Sequence, residues 1–230
     1  MDLSIEIAGY IQSNNQERLE KAIKNNPELA EGITPQGITL LILAAYCRNE
    51  EAVKLILARK SRINLYEAVV VGNLDMVRQH LVIEPYRINS FSVDGFTPLG
   101  LASYFGHEEI VEFMIKMGAE INQPSNNNFG ICPIHCACSI GNKHLVKLLL
   151  DNGADVNLPQ KSGGTALHAA AREGDLELVK MLVKAGADAE ASMLNKQTPM
   201  QIAKEKGFSD VIGYFRLLKH AKEEQPTICK

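Results

Sequence analysis

The chain has 230 residues, a formal net charge of −3 at pH 7 and 46% hydrophobic residues. This hydrophobic content is enough to bury a core, which excludes the disordered class of chain. The near-neutral charge argues against a nucleic-acid-binding surface, which normally carries a basic excess. The sequence has no apolar run of ~18 residues. We therefore expect neither nucleic acid nor membrane as a partner.

The beginning of the chain and its cysteines bear on its location. Residues 1–20 lack the basic start and the apolar stretch of a secretory signal. Five cysteines are present, and an odd number without such a signal indicates reduced thiols. A cytoplasmic location is expected. A nuclear location and export without an N-terminal signal are the alternatives left open.

The first 35 residues are predicted to form an N-terminal helical capping unit. Two helices are expected, around 4–13 and 16–24, and the second ends at Asn26-Pro27 because the residue before a proline is disfavoured in a helix. After this unit the sequence becomes periodic.

One motif recurs along the rest of the chain. It ends in valine or isoleucine, as in GHEEIV at 106–111, and successive copies are 24, 34, 35, 33 and 33 residues apart. Self-similarity at a fixed period of this length is typical of repeat proteins. The predicted repeats occupy about 36–64, 65–89, 90–122, 123–157, 158–190 and 191–219, in one continuous array, and residues 220–230 are expected to be a flexible tail.

The third repeat shows which helices the sequence predicts within one repeat. Thr97 suits a helix N-cap, Pro98 suits the first helical position, and Gly106 suits a left-handed stop, so a helix is predicted over 98–105. Glu108 opens a second helix, where a carboxylate is favoured by the helix dipole. Two short helices cannot bury their apolar faces alone, so each unit must stack on its neighbours.

These motifs resemble the ankyrin repeat family. The resemblance rests on TPL at 97–99, DNGADVN at 151–157 and ALHAAAREGDLELVKMLVKAGAD at 166–188, and it covers about residues 36–218. It implies an all-α fold, an ankyrin-repeat solenoid of helix-turn-helix units with projecting β-turn fingers. It also implies a non-catalytic role in protein–protein interaction.

Three departures from the repeat are informative. The second repeat is about nine residues short, so its finger is expected to be missing or stunted. The loop before the fourth repeat is two residues longer, around 126–128. The sixth repeat carries Lys196 where glycine is usual.

Residues 132–138, CPIHCAC, are the densest candidate for chemistry, because three cysteines and a histidine could indicate zinc. The repeat register offers another explanation. Cys132 occupies a helix-cap position, and Cys138 occupies a position where the repeat packs a small residue. His135 lies one repeat period before His168. In the family this histidine hydrogen-bonds to the neighbouring unit. We predict buried thiols, no metal, no cofactor and no catalytic residue, and the chain lacks the common hydrolase, metalloprotease and P-loop motifs.

The resemblance implies a concave groove, formed by the fingers and by residues late in each first helix. Those positions carry more aromatic and apolar side chains than the repeat core requires, and an exposed stripe of this kind commonly marks a binding site. The predicted partner-binding residues are Tyr46, Val70, Asp94, Phe96, Tyr104, Phe105, Phe129, Ile131 and Ile140, with Arg172 and Glu173 at a polar end. Local packing is the alternative explanation, above all at Tyr46 and Val70 beside the missing finger.

The sequence therefore predicts a protein-binding module or scaffold whose partner is another protein, and favours a monomer over a homo-oligomer. An inhibitor or regulatory subunit that masks a partner enzyme or transcription factor would use the same surface. A metal-dependent enzyme at residues 132–138 and a structural spacer are the remaining alternatives.

Overall fold

The computed structural model describes residues 3–223, and over these residues the regular secondary structure is helical, with no β-strand. None of the helices in this part of the chain is both long and apolar enough to span a bilayer. The α-helices are α1 (Leu3–Gln12), α2 (Gln16–Asn25), α3 (Leu40–Tyr46), α4 (Glu50–Leu57), α5 (Leu65–Val70), α6 (Leu74–Ile83), α7 (Pro98–Phe105), α8 (Glu108–Lys116), α9 (Pro133–Ser139), α10 (Lys143–Asp151), α11 (Ala166–Glu173), α12 (Leu176–Lys184), α13 (Pro199–Lys206) and α14 (Ser209–Glu223).

The helices pack in sequential pairs. The pair α1–α2 comes first, followed by a 3-10 turn over Pro27–Glu31, and six further pairs follow from α3–α4 to α13–α14. The chain divides into two compact units, 1–118 and 119–230, with the boundary between the third and fourth repeats. Helix α14 includes the first four residues of the segment expected to be a flexible tail, and 224–230 lie outside the described residues.

The local signals of the third repeat act as the sequence predicts. The Thr97 side chain accepts a hydrogen bond from the backbone N–H of Gly100 at 3.0 Å, and Pro98 begins α7. Gly106 ends the helix in the left-handed conformation at φ 75°, which a residue with a Cβ adopts at a cost. The predicted helix over 98–105 is confirmed.

Small residues at the centres of the first helices let these helices approach closely. Ala44 and Ala102 in the first unit, and Ala137 and Ala170 in the second, are fully buried. In the first unit the core also joins the N-terminal pair to the first repeat, because Ile11 and Ile23 belong to the same buried cluster as Leu40 and Leu41. Within each unit, a helix pair thus buries its apolar face against its neighbouring pair.

Five of the six repeats begin with a finger, a tight turn closed by a backbone hydrogen bond. The closing bonds run from Thr34 to Ile38 (2.8 Å), Ser92 to Phe96 (2.8 Å), Ser125 to Ile131 (2.9 Å), Gln160 to Gly164 (2.8 Å) and Met193 to Gln197 (2.9 Å). The fourth finger encloses two more residues than the others, so the extra residues lie within it. Residues 58–64, before the second repeat, form no such turn, as predicted.

An ion cluster around the buried Lys60 lies just before the second repeat, where the other repeats have a finger. The Lys60 ammonium lies 2.8 Å from Glu31 Oε2 and 3.1 Å from Glu67 Oε1, and the side chains of Lys60 and Glu67 are only 4% and 2% exposed. Glu67 also caps α5 by accepting the backbone N–H of Asn64 at 2.9 Å. Burial opposes the Lys60 charge, but hydrogen bonds and attraction from both carboxylates outweigh it and raise the Lys60 pKa.

Replacing Lys60 by methionine should destabilise the protein by about 3–5 kcal/mol, because Glu67 would remain buried without a counter-charge. The free energy of unfolding from urea titrations measures this. The double change Lys60→Met/Glu67→Gln should recover part of the loss. The matched control Lys54→Met removes the exposed pair with Glu51 and should cost less than about 1 kcal/mol. Equal costs for the two single variants would contradict a structural role for the cluster.

Lys196, in the finger of the sixth repeat, has φ 66°, a left-handed value that favours glycine. We expect Lys196→Gly to raise the unfolding free energy by about 0.5–1 kcal/mol, since relief of the strain exceeds the entropy cost of glycine. Lys196→Ala keeps the strain and should give no gain. Thermal and urea denaturation of both variants would check this, and equal stabilities would argue against strain at this position.

Candidate partner-binding surface

An aromatic cluster joins the first and third repeats in the first unit. Tyr46 ends α3, and Tyr104 and Phe105 end α7. The Tyr46 ring stacks on Phe105 with centroids 5.6 Å apart. Tyr104 meets both rings edge-on, at 5.9 Å from Tyr46 and 5.2 Å from Phe105. Three predicted site residues are therefore brought together.

Polar contacts tie this cluster to the third finger. The Tyr46 hydroxyl donates to Asp94 Oδ2 at 2.5 Å, and the Ser92 hydroxyl donates to Asp94 Oδ1 at 2.5 Å. The tip of this finger also touches the first finger, because a Cβ on Gly37 would lie 2.8 Å from Val93 Cγ1. The missing second finger allows both contacts, since a full-length second repeat would place another finger between them.

Val70 was predicted to line the binding surface, and this prediction is wrong. Val70 is only 3% exposed, because α5 packs between α3 and α7. The shortened repeat lets its neighbours close over the end of α5, so Val70 contributes to the core. Local packing therefore explains the apolar side chain at Val70, and it also accounts for part of the burial of Tyr46.

The exposed part of the cluster is Tyr104, which is 36% exposed, and the adjoining finger tip, where Val93 is 73% exposed. Phe96 and Phe105 are half-buried, and so is Asp94. We call Tyr46, Val93, Asp94, Tyr104 and Phe105 the aromatic surface. It offers apolar rings held by packing and one carboxylate at its edge.

The remaining predicted residues lie in the second unit. Phe129 is exposed on the fourth finger, Ile131 and Ile140 are half-buried, and Arg172 and Glu173 are exposed at the end of α11. The Phe129 carbonyl accepts the backbone N–H of Lys161 at 2.9 Å, which links the fourth finger to the fifth. Within the second unit the finger that carries Phe129 is thus bonded to the next finger.

Sequence reasoning missed His107. Its ring stacks on Phe105 with centroids 6.2 Å apart, and its Nε2 hydrogen-bonds to the Val70 carbonyl at 3.0 Å. A signal was available, because His107 occupies the N-cap of a second helix, where Asn73 and Asn142 cap by accepting a backbone N–H. The His107 side chain makes no such cap bond, which marks a side chain used for packing instead.

The CPIHCAC segment forms the N-cap of α9 and all but the last residue of this helix. His135 Nδ1 accepts the backbone N–H of Cys132 at 3.0 Å, so Nε2 carries the proton and donates to the Leu158 carbonyl at 2.9 Å. His168 repeats this arrangement, with Nδ1 3.1 Å from the Thr165 nitrogen and Nε2 3.2 Å from the Gln197 carbonyl. Each histidine therefore caps its own helix and ties its repeat to the next one.

The three cysteines of this segment are buried free thiols. Burial raises the pKa of Cys132 to about 11 and that of Cys136 to about 12, and it also raises the pKa of Cys138. Thiols in such surroundings stay protonated at neutral pH and are poor nucleophiles. Within residues 3–223 no three His, Cys, Asp or Glu side chains are grouped so that they could hold a metal ion.

Comparison with known proteins agrees with the helix pairs and fingers. A family model described as ankyrin repeats (three copies) matches residues 11–125 and 123–193. The chain belongs to the ankyrin-repeat family. Together with the helices described above, this confirms the all-α ankyrin-repeat fold expected from the sequence. Ankyrin-repeat proteins are generally non-catalytic protein–protein interaction modules.

One relative is the human protein named Ankyrin repeat and SAM domain-containing protein 3. It is 30% identical to this chain over 63 residues, which are 27% of this chain and 10% of that protein. The similarity covers a small part of the human protein.

His135 makes stability depend on pH. Burial lowers its pKa from 6.5 to about 4, so the unfolded chain binds more protons between these values and stability must fall as pH drops from about 6.5 to about 4. His135→Gln keeps an acceptor at this position, as Gln201 does for the N–H of Thr198 in the sixth repeat. Its unfolding free energy should vary less across this range, with a smaller decrease remaining because the pKa of His168 is also lowered. Equal pH profiles for the variant and the wild type would contradict this assignment.

Proposed function

We propose that this ankyrin-repeat protein is a non-catalytic module that binds another protein through the aromatic surface and the neighbouring finger tips. The observation that carries the proposal is the Tyr46–Tyr104–Phe105 cluster, in which two half-buried rings pack against the exposed ring of Tyr104. A rigid aromatic anchor loses little conformational entropy on binding, which is why such rings dominate protein interfaces.

The finger beside the cluster adds a second apolar contact and a polar edge. Val93 projects from the finger tip, while both carboxylate oxygens of the half-buried Asp94 accept hydrogen bonds, one from Tyr46 and one from Ser92. An apolar centre with a polar rim is the usual arrangement of a protein-binding site. The second unit is proposed to make contacts of its own with a partner through Phe129, Ile131, Ile140, Arg172 and Glu173.

The same surface would serve an inhibitor or regulatory subunit that masks part of its partner. Binding and masking make different predictions once a partner is known, because a masking protein lowers the partner's activity or transport when the two are mixed. For the free protein we propose a monomer, which sedimentation equilibrium would test. A spacer would present no preferred surface, and the exposed Tyr104 and Val93 count against that alternative.

Tyr104→Ala should weaken partner capture without changing the fold, because Tyr104 is the exposed member of the cluster. Tyr86→Ala is the matched control, since Tyr86 is exposed in the same unit but follows α6. Affinity capture from lysate of the source cells, followed by titration of each recovered protein, would compare the variants. The affinity of the partner should fall by about 30-fold for Tyr104→Ala, the effect of losing an interface anchor worth about 2 kcal/mol.

Both variants should keep the circular dichroism spectrum of the wild type, and Tyr104→Ala should lower the melting temperature by only a few degrees, because it loses two edge-on ring contacts. Equal capture by the wild type and Tyr104→Ala, with Tyr86→Ala as the weaker binder, would move the interface to the α6 side. Loss of binding in both variants would show that the change is not specific to the aromatic surface.

A further inference from the structure

A groove between α10 and α12 lies outside the proposed surface. It has a volume of about 710 Å³ and runs between the second helices of the fourth and fifth repeats, within the second unit. Leu150, Met181 and Ala185 form an apolar floor, and none of the three is fully buried. The groove therefore offers apolar area that the fold itself leaves in contact with water.

Lysines dominate the rim of this groove. Lys143, Lys147, Lys180 and Lys184 line it, against two carboxylates, Asp151 and Glu177.

Two of the ion pairs on the rim are local and weak. Lys147 pairs with Asp151 and Lys180 with Glu177 along their own helices, and these side chains are exposed. Pairs of this type contribute only about 0.3–0.5 kcal/mol, so a lysine can exchange its partner at little cost. Lys143 is held by Asp175 at 2.6 Å. No carboxylate of the described residues lies within 4.0 Å of the Lys184 ammonium, which leaves a cation free at one end.

The equivalent groove in the first unit differs in size and charge. Between α6 and α8 the groove volume is about 390 Å³, and the Arg78 guanidinium lies over the Phe113 ring, 5.5 Å from its centroid. Glu112 of α8 occupies the helix position that Lys180 occupies in α12, and Phe113 the position of Met181. The wide, lysine-lined form is therefore not a general property of stacked repeats in this chain.

We propose that the groove between α10 and α12 binds an acidic amphipathic helix of a partner protein. A helix that enters such a groove buries apolar residues at i, i+3, i+4 and i+7, and the floor supplies the matching surface. Its glutamate or aspartate side chains would face the lysines on both rims. Each groove helix has nine residues, a length of about 13 Å, so two to three turns of the partner would be in contact.

A nucleic acid is a poorer match for the same groove. Its phosphates would meet Asp151 and Glu177 as well as the lysines, and the apolar floor would be left uncovered by a charged backbone. This site lies on the second helices, so it does not depend on the proposed role of the aromatic surface. Its failure in a test would leave that proposal untouched.

The test uses the full chain and a fluorescein-labelled peptide of about 20 residues, which exceeds the length of about 12–15 residues below which isolated helices are marginal. The peptide carries leucines on one face and glutamates on the other, and a second peptide replaces every glutamate by lysine. Fluorescence anisotropy should show saturable binding of the glutamate peptide, weakened by added NaCl because exposed charges are screened. The lysine peptide should bind at least about ten-fold more weakly.

Variants locate the binding. Lys180→Glu/Lys184→Glu should reduce the affinity for the glutamate peptide by about ten-fold or more, since two attractions become repulsions. Lys116→Glu is the matched control, because Lys116 occupies the position of Lys184 in α8 and should leave the affinity within about two-fold. Met181→Ala should weaken binding without altering its salt dependence.

Four results would overturn the proposal. They are equal binding of the two peptides, an equal effect of Lys116→Glu, tighter binding of a labelled random duplex DNA than of the glutamate peptide, and self-association that Lys180→Glu/Lys184→Glu abolishes. The third would assign the groove to nucleic acid and the fourth to a second copy of the chain.

Discussion

The structure depends on one constraint, that a pair of short helices has an apolar face which it can bury only against the next pair. Fully buried alanines at the centres of the first helices are the local expression of this constraint, because larger side chains would hold neighbouring pairs apart. Stability is then a sum of contacts between neighbours. Hydrogen bonds also cross from one repeat to the next, such as those of His135 and His168. These bonds are directional, whereas the apolar contact between repeats is not.

The N3 position of the first helices shows how one structural role is filled by different chemistry. In the fourth and fifth repeats a neutral histidine caps the helix and donates to the following repeat. In the second repeat Glu67 caps the helix but faces a buried lysine, which in turn reaches Glu31 of the N-terminal unit. Where the finger is absent, a charge cluster supplies the link between repeats that a histidine supplies elsewhere.

Local signals in the sequence were sufficient for the helices and for the position of the missing finger. Thr97, Pro98 and Gly106 each act through bonds within a few residues, and their effect does not depend on the rest of the fold. Val70 could not be placed correctly in the same way, because its burial depends on two helices that close over it only when the repeat between them is short. His107 was missed for a similar reason, since its role is defined by a ring from α7 and a carbonyl from α5. The candidate surface was therefore predictable in its aromatic composition but not in its boundary.

The missing finger limits how far this chain can be treated as interchangeable modules. Tyr46 and Phe105 belong to repeats that are not neighbours in the sequence, yet their rings are in contact, and so are Gly37 and Val93. A designer who replaced the second repeat with a full-length consensus unit would restore the regular period and would separate both pairs. The protein would gain a finger and lose the cluster, so the shortest repeat is the one that cannot be exchanged.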